Sequence, residues 1–542
     1  MALDAIIISD SGSDSMSSTN PLRLNLDGRT ADIQVVQNYL NHEGRIQPPI
    51  VGDNQTSWAS APKLNGIYLF DYLSKRDFDV ALIDSFTRQT DDFKKLLERN
   101  PRVVIISTTF IAGKQNLNRL AADIRKLAPD VFIVAGGPLI YLSYLMLQRS
   151  GQSEYDTRSA VNEFLFLGTE DEPAVDLHVV SLRGEQLLGS ILERLKTDRG
   201  IDDIPNCARM IGNQYYFSKR VDDISNSGDL TIDWTALPEE IFESGVVPMQ
   251  ASNGCPYHCA FCNFTKDRRL TWVRPTERIV AEMKAAQERG ARYVWFVDDN
   301  FRLGKDDLED VCRRFIDEGL QLKWMTFVRA STLDKVDADL LRQAGCIEVQ
   351  LGLESADPVV LKYMNKKASA ELYDRVLRKL LGSGINCSCY FLFGFPGETA
   401  ESAQRTRDFI RSFDGHPYQG SLCWSMFPFT LVPLSPIYEP EARKKYGISG
   451  YLHKWQHTTM NSDQARDELL KTFMEIEKSG PIYRGDNQEI LGQLGHTVRK
   501  DFEATRHKLS KAALKGELEP DKIVRSFRQV LAGSKTGSCP GI

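Results

Sequence analysis

Twice along this chain, short runs of Val, Ile, Leu and Phe alternate with helical stretches, and this alternation limits the fold more than any other feature. The first series of runs is AIIIS (5–9), DVALIDSF (79–86), VVIISTTF (103–110), VFIVAGG (131–137) and EFLFLGTED (163–171). Helical spacing marks LNGIYLFDYLSKR (64–76) and NLNRLAADIRKLAP (116–129) between them. Strands that are apolar nearly throughout belong to a sheet covered on both faces, and intervening helices make it parallel. Residues 1–180 are therefore expected as a doubly wound, Rossmann-like domain of α/β class. Residues 181–245 are polar and mixed and read as a linker, with KRVDDISNSGD its clearest stretch.

The second series runs VVPMQAS (246–252), YVWFVDDN (293–300), KWMTFVRAS (323–331), CIEVQLGLES (346–355), NCSCYFLFGFPGE (386–398) and GSLCWSMFPF (420–429). Helical patterns lie between them, including 275–290 with Thr276 as its N-cap and Gly290 past its end. Six βα units, fewer than the eight of a closed barrel, predict a partial (β/α)6 barrel over 246–429. After residue 430 strand signals fade and charged helical patterns take over, so 430–542 is expected as a mostly helical cap.

Composition narrows the function. A chain of 542 residues with 42% hydrophobic residues affords several cores, and a net charge of −6 lacks the basic footprint of a nucleic-acid binder. No apolar run reaches the ~18 residues of a membrane span, and MALDAIIISD lacks the basic start of a signal peptide. Ten cysteines in a chain this long do not suggest a disulfide scaffold, so the expected compartment is the reducing cytoplasm. Cys312, Cys346, Cys387, Cys389 and Cys423 sit in apolar patterns and read as core. The terminal CPGI has Pro and Gly where a prenylation signal has aliphatic residues, so lipidation of Cys539 is not expected.

Ligands of doubly wound folds bind at the carboxyl ends of the strands. In the first series those ends carry Asp84 and Ser85, Ser107, Thr108 and Thr109, Gly136 and Gly137, and Gly168, Thr169 and Glu170. Hydroxyls and bare backbone at neighbouring tips suit a large polar ligand. No GxGxxG or Walker sequence is present, so nothing supports the usual nucleotide site.

The second series opens on GCPYHCAFCNF, which sets Cys255, Cys259 and Cys262 directly after its first strand, on the active face of a βα barrel. Three thiolates there suit an iron–sulfur cluster, or a Cys3His zinc site completed by His258. CPYHCAFC resembles the CxxxCxΦC signature of the radical SAM superfamily, with Phe261 as the aromatic residue. The resemblance implies that the three cysteines hold three irons of a [4Fe-4S] cluster. The fourth iron is then left for S-adenosylmethionine (SAM), whose reductive cleavage gives a 5′-deoxyadenosyl radical. It also implies SAM contacts from Asp298 and Asp299 (VDDN) to the amino group and from Arg329 to the carboxylate. Glu354 and Ser355 (GLES) would meet the ribose, and Phe261 with Gly394, Pro396 and Gly397 (GFPG) would lie by the adenine.

The N-terminal half is similar to the cobalamin-binding domain that precedes the barrel in class B radical SAM enzymes. In that comparison the tips at Asp84, Ser107 to Thr109, Gly136, Gly137, Gly168 and Glu170 would contact the corrin and its nucleotide tail. DLHVVS holds Asp176 and His178 in a frame like the DxHxxG of cobalt-ligating domains. It ends in Ser181 and follows the last strand of the series, so His178 reads as an ordinary residue. The segment from Ser9 to about residue 62 is longer than in relatives and is left as a pocket-shaping element or a loose insertion.

The resemblance implies a cobalamin-dependent methyltransferase that methylates an unactivated carbon of a small-molecule or natural-product substrate, as a monomer, fed electrons by a flavodoxin or ferredoxin. The alternative with the same cofactors is an oxidative cyclase or ring-rearranging enzyme. RNA methylthiolation would need three more cluster cysteines ahead of the barrel, where the first cysteine is Cys207. In the cap, YLHKWQH places His453 and His457 on one face if helical, and these with Trp455 are candidate substrate contacts.

Overall fold

The structure is a computed structural model, and it describes residues 3–12, 22–50, 56–152, 154–168, 174–222, 231–264, 272–301 and 303–532. The chain forms two compact units, Met1–Ser17 with Pro62–Leu237, and Ser18–Ala61 with Pro238–Ile542.

The first unit is built on one sheet in the spatial order Val80–Ile83, Ala5–Ile8, Val103–Ser107, Phe132–Gly136, Leu177–Val179, Cys207–Ile211, Gln214–Phe217. The first five are parallel and the last two antiparallel. Two apolar layers cover the sheet, one with Ile6, Ile8, Val104 and Ile133, the other with Ile7, Val103, Ile105 and Val134. Alternate residues of the same strands fill opposite layers, which is why these strands are apolar nearly throughout.

Two expectations for this region are corrected. EFLFLGTED is not a strand where it is described. Phe166 has φ +70°, which an extended strand does not allow. The segment's backbone bonds to helical elements instead: Leu165 N donates to Ser143 Oγ at 3.0 Å, and Lys114 N donates to Glu163 O at 2.8 Å. The fifth parallel strand is Leu177–Val179, inside the stretch containing His178. The expected linker 181–245 is likewise structured up to Phe217. Helix Glu185–Lys196 packs Leu188, Ile191 and Leu192 on the sheet, and an antiparallel hairpin extends the sheet edge. Polar composition hid these elements because the hairpin has one face in solvent, as antiparallel edges permit.

The second unit carries a parallel sheet in chain order: Val246–Met249, Tyr293–Phe296, Lys323–Phe327, Cys346–Glu354, Asn386–Phe393, Leu422–Pro428. A two-residue strand, Gly480–Pro481, adds a seventh beside Cys423 and Trp424. Helices Thr276–Glu288, Lys305–Asp317, Ala338–Gln343, Ala370–Gly382 and Ala400–Arg411 make the crossovers. Pro275 is the N-cap of the first, with Thr276 its first helical residue. Cys312, Cys346, Cys387 and Cys389 are buried core, as their patterns implied.

The long N-terminal segment is an integral part of this second unit. Leu24, Ile33, Val36 and Tyr39 share a core with Phe502, Leu509, Ile523 and Phe527 of the C-terminal helices. A buried ion pair fixes the join: Arg506 holds Asp486 at 2.7 and 2.9 Å, and Asp486 Oδ1 accepts Ile33 N at 2.8 Å. Further on, Trp58 and Ala61 pack with Val246, Tyr293 and Met325. Val246 and Tyr293 begin their strands, so Trp58 closes the barrel at the end away from the cysteines.

Residues after 430 are mostly helical, including Ser462–Glu475, His496–Leu514 and Pro520–Ala532. The exception is YLHKWQH, expected as one helical face. It is an antiparallel hairpin, Ser449–Tyr451 with Lys454–Gln456, turning at Leu452 and His453. Cys539 lies outside the described residues.

Candidate functional site

The first barrel strand runs into the cysteine loop, and two acids from the end of the second strand hold that loop in place. Asp298 Oδ1 accepts Ser252 Oγ at 2.6 Å and Ser252 N, and its Oδ2 accepts Ala251 N at 3.2 Å. Asp299 Oδ2 accepts Gly254 N at 3.0 Å. Burial raises Asp298 to about 7 and Asp299 to about 6, against the hydrogen bonds that favour their charged forms. Asp298 was expected to meet a ligand, but its carboxylate is spent on the loop and it acts as a positioning group. Asp299 Oδ1 makes no hydrogen bond among the described residues and stays available.

The loop's other side is pinned by the turn after helix Pro358–Tyr363. Ala260 N donates to Met364 O at 2.9 Å, and Asn365 Nδ2 to His258 O at 2.8 Å. Cys259 is buried, while Cys255 and Cys262 are partly exposed, and all three are free thiols. Burial pushes Cys255 upward and Cys262 to about 11, with the neighbouring thiols adding to both. Among the described residues no three His, Cys, Asp or Glu side chains converge on one ion, and His258 is exposed. His258 is therefore not brought to the thiols as a fourth zinc ligand among the described residues. An iron–sulfur cluster is held by thiolates on separate irons and does not ask three ligands to meet at one point.

Arg329 faces the thiols. Its Nη1 donates to Cys259 Sγ at 3.6 Å, its Nη2 to Lys366 O, and its guanidinium carbon lies 3.8 Å from the centre of the Tyr257 ring. Its buried Nε has no protein partner. A guanidinium with an unspent N–H beside three thiols suits a carboxylate next to a cluster.

Glu354 has φ +68° and pairs with Lys366 Nζ at 2.9 Å. That conformation fits because Gly352 leaves room: a Cβ there would lie 2.6 Å from Glu354 Oε1. Lys366 also stands 5.9 Å from the Phe261 ring, which meets Phe395 edge-on at 6.4 Å. Nothing in the sequence singles out Lys366, because its partners come from other elements. Ser355 is corrected: it is fully buried, its Oγ lies 3.1 Å from Thr406 Oγ1 and accepts Asp357 N at 3.1 Å, so it presents no hydroxyl to a ribose.

At the GFPGE turn the expectation for Gly394 changes in its reason. Gly394 has φ +91°, and a Cβ there would press on Ala465 and, at 2.6 Å, the Trp455 ring, so glycine admits the cap and not an adenine. Pro396 is buried in the same turn. Glu398, unremarked in the sequence, closes it by accepting Gly394 N, and burial raises its carboxyl to about 8. Trp455 and His457 brace the same turn. Trp455 Nε1 donates to Phe429 O at 2.7 Å, its ring stacks on His457 at 5.1 Å, and His457 Nε2 lies 3.0 Å from Gly394 O. Thr459 N donates to His457 Nδ1 at 3.3 Å, so Nε2 carries the proton. His453 is exposed, with Thr430 Oγ1 3.4 Å away.

In the first unit, the order Val80–Ile83, Ala5–Ile8, Val103–Ser107 puts the topological switch point beside Ala5–Ile8. Asn65 spans it, donating to Ser9 O at 3.0 Å and Ser107 Oγ at 2.7 Å. Thr109 is exposed 3.3 Å from Ser107 Oγ. The buried Ser9 Oγ, Asn65 Oδ1 and Ser85 Oγ have no protein partner, so this edge keeps polar capacity for a ligand. Other expected contacts are spent on structure. Asp84 Oδ1 accepts Lys63 N at 2.5 Å, and Thr108 Oγ1 donates to Gly136 O at 2.9 Å and accepts Leu139 N at 3.2 Å. Gly137, at φ +111°, packs where a Cβ would stand 3.0 Å from Thr108 Oγ1. Gly168 lies in a turn and at no strand tip, while Thr169 and Glu170 lie outside the described residues. His178 is 2% exposed within its strand, and burial lowers it to about 4. It is the one histidine in this unit's sequence, and its strand pairing keeps it inside the sheet.

Comparison with known proteins gives the following. Residues 249–410 match the Radical SAM superfamily model. An uncharacterised methyltransferase of Pyrococcus horikoshii is 24% identical, over 77% of this chain and 88% of that one. The anaerobic magnesium-protoporphyrin IX monomethyl ester cyclase of Cereibacter sphaeroides is 24% identical, over 75% and 70%. A tRNA-2-methylthio-N(6)-dimethylallyladenosine synthase of the same species is 30% identical, over 56% and 68%. Among solved structures, the methyltransferase TsrM of Kitasatospora setae, with cobalamin and a [4Fe-4S] cluster bound, superposes with TM-score 0.54 at 18% identity, over 81% of this chain and 77% of that one. OxsB, a cobalamin-dependent S-adenosylmethionine radical enzyme with aqua-cobalamin bound, gives 0.55 at 13% identity, over 99% and 85%. At these identities the two structures speak to the fold.

Proposed function

The chain belongs to the radical SAM superfamily, and from that premise we propose that it is a cobalamin-dependent methyltransferase that alkylates an unactivated carbon of a small-molecule or natural-product substrate. The observation that carries this reading is Cys255, Cys259 and Cys262 at the mouth of the barrel, with Arg329 against Cys259, in a chain whose other unit is built on a sheet with five parallel strands and unspent polar atoms at its switch point.

When bound, the cluster with SAM supplies a 5′-deoxyadenosyl radical and cobalamin supplies the methyl group, chemistry no side chain provides. The protein binds, orients and excludes. The three cysteines would hold the cluster, and Asp298 and Asp299 keep their loop in register. Arg329 would take the SAM carboxylate on its unspent Nε. Phe261 and the Phe395–Pro396 turn, braced by Trp455 and His457, would wall the adenine. Ser9, Asn65, Ser85, Ser107 and Thr109 would receive the polar rim of cobalamin. With His178 inside the sheet, no imidazole of the first unit is offered to cobalt. Among the described residues no helix is long and apolar enough to cross a membrane. A monomer served by a flavodoxin or ferredoxin in the cytoplasm completes the proposal.

The cyclase relative supports the second reading, ring formation with the same cofactors. Product accounting separates them. Methylation yields S-adenosylhomocysteine together with 5′-deoxyadenosine and a substrate gain of about 14 Da. Cyclisation yields no S-adenosylhomocysteine in proportion to product.

A further inference from the structure

The barrel's inner face is legible from the strand register. Trp295 pairs with Met325, Phe327 with Gln350, Gly352 with Tyr390, Tyr390 with Ser425, and Leu392 with Phe427. Paired residues point to one face of a sheet. The alternate residues Val294, Phe296, Val349, Leu351, Cys387 and Cys389 are buried on the other face. Met325 is covered by Trp58 at the closed end, whereas Trp295, Phe327, Tyr390 and Leu392 keep partial exposure and Phe427 is 46% exposed. Three of these rings form a wall. Phe327 and Tyr390 lie 5.9 Å apart, and Tyr390 and Phe427 stack with nearly parallel rings, at 13° and 6.4 Å. Gly352 lets the wall form, since a Cβ there would stand 3.4 Å from Phe327 Cζ.

Several charges reach this wall: the Glu354–Lys366 pair stands against Gly352, Glu348 shares the face, and Arg484 lies over it. Arg484 follows the short seventh strand and is partly buried, with its guanidinium 5.5 Å over the Trp295 ring and its Nη2 donating to Tyr390 Oη at 2.9 Å. Among the described residues no carboxylate pairs with it. The acid sharing this face, Glu348, accepts Ser388 Oγ at 2.7 Å and acts on Arg484 through space without an ion-pair contact. The neighbouring guanidinium, Arg23, is set against Asp32 and Tyr483. A partly buried guanidinium held by aromatic rings, with a phenol as its acceptor, lacks a direct ion-pair partner among the described residues. Its planar donor fork matches a carboxylate.

We propose that Arg484 anchors a carboxylate on a planar aromatic substrate whose ring system lies along Trp295, Phe327, Tyr390 and Phe427. The inference rests on the reading that this barrel holds the reaction site, and it adds the substrate class.

The test uses full-length protein reconstituted anaerobically with iron, sulfide and cobalamin, and two probes alike in shape, 2-naphthoate and 2-naphthamide, with binding read by calorimetry. Unsubstituted protein is expected to prefer the carboxylate by about ten-fold or more. Arg484→Gln removes the preference and Arg484→Lys retains part of it. Phe427→Ala, at an exposed position, weakens both probes equally. Equal binding of the two probes to unsubstituted protein, or a preference that survives Arg484→Gln, overturns the proposal. The SAM-induced change in the cluster's electron paramagnetic resonance is recorded on the same samples. Loss of that signal in unsubstituted protein marks failure of the radical SAM reading, whereas a normal signal with no carboxylate preference marks failure of the Arg484 assignment alone.

Discussion

Lys366 Nζ and Glu354 Oε1 form a largely buried ion pair at 2.9 Å, and the turn that carries Lys366 pins the cysteine loop. The lysine's own carbonyl accepts from Arg329, so one turn ties the fourth strand's end to the guanidinium beside Cys259. Removing one partner of a buried pair leaves an uncompensated charge. Lys366→Met is expected to cost about 3–5 kcal/mol in urea unfolding, and Lys366→Met with Glu354→Gln to recover most of it.

Asp298 acts through the loop and not through a ligand. Asp298→Ala removes the acceptor for Ser252 N, Ser252 Oγ and Ala251 N together. Loss of such support is expected to weaken cluster retention about 10–100-fold, read as iron remaining after titration with a chelator. Asp298→Asn, which keeps acceptor capacity, is expected to fall between the two.

His178 gives the first unit a defined acid lability. Its pKa is lowered from 6.5 to about 4 by burial, so the native state holds it neutral while the unfolded chain takes up a proton. Its contribution is present above pH 6.5 and is lost as pH falls through the interval to about 4. The gap corresponds to about 3 kcal/mol. His178→Leu is expected to flatten the slope of stability across that window, whatever it does to the absolute value, and to leave cobalamin retention unchanged.

Gly394 tests the brace from the cap. At φ +91°, with Trp455 and Ala465 where a Cβ would go, Gly394→Ala is expected to cost about 1–3 kcal/mol in strain and more from the displaced ring. Thermal unfolding reads the loss, and Trp455→Ala in the same chain is expected to reduce the penalty, because it removes the clash.

Both sheets were legible in the sequence where strands are covered on two faces, since continuous apolar runs leave little other choice. Reading failed where burial is one-sided or contacts are distant. EFLFLG has strand composition, yet Phe166 turns through positive φ and packs its ring on Tyr215 and Phe217 from the expected linker. The segment 22–61 reads as loose because its apolar residues match the C-terminal helices, hundreds of positions away. At the site, the cysteines were plain because spacing carries their chemistry. Asp298, Ser355 and Gly394 were recognised as strand-end residues but assigned to a ligand, when their partners are Ser252, Thr406 and Trp455. Lys366, Glu398 and Arg484 were missed because each is defined by a residue remote in sequence.

The central claim is that Cys255, Cys259 and Cys262 hold a cluster that cleaves SAM. The most direct measurement is iron content and 5′-deoxyadenosine formation under dithionite, on anaerobically reconstituted protein beside Cys255→Ala, Cys259→Ala and Cys262→Ala. About four irons per chain and SAM cleavage are expected in the unsubstituted protein, with both lost in each variant. Iron well short of four, SAM left intact, or variants that cleave it as well as the unsubstituted chain would contradict it.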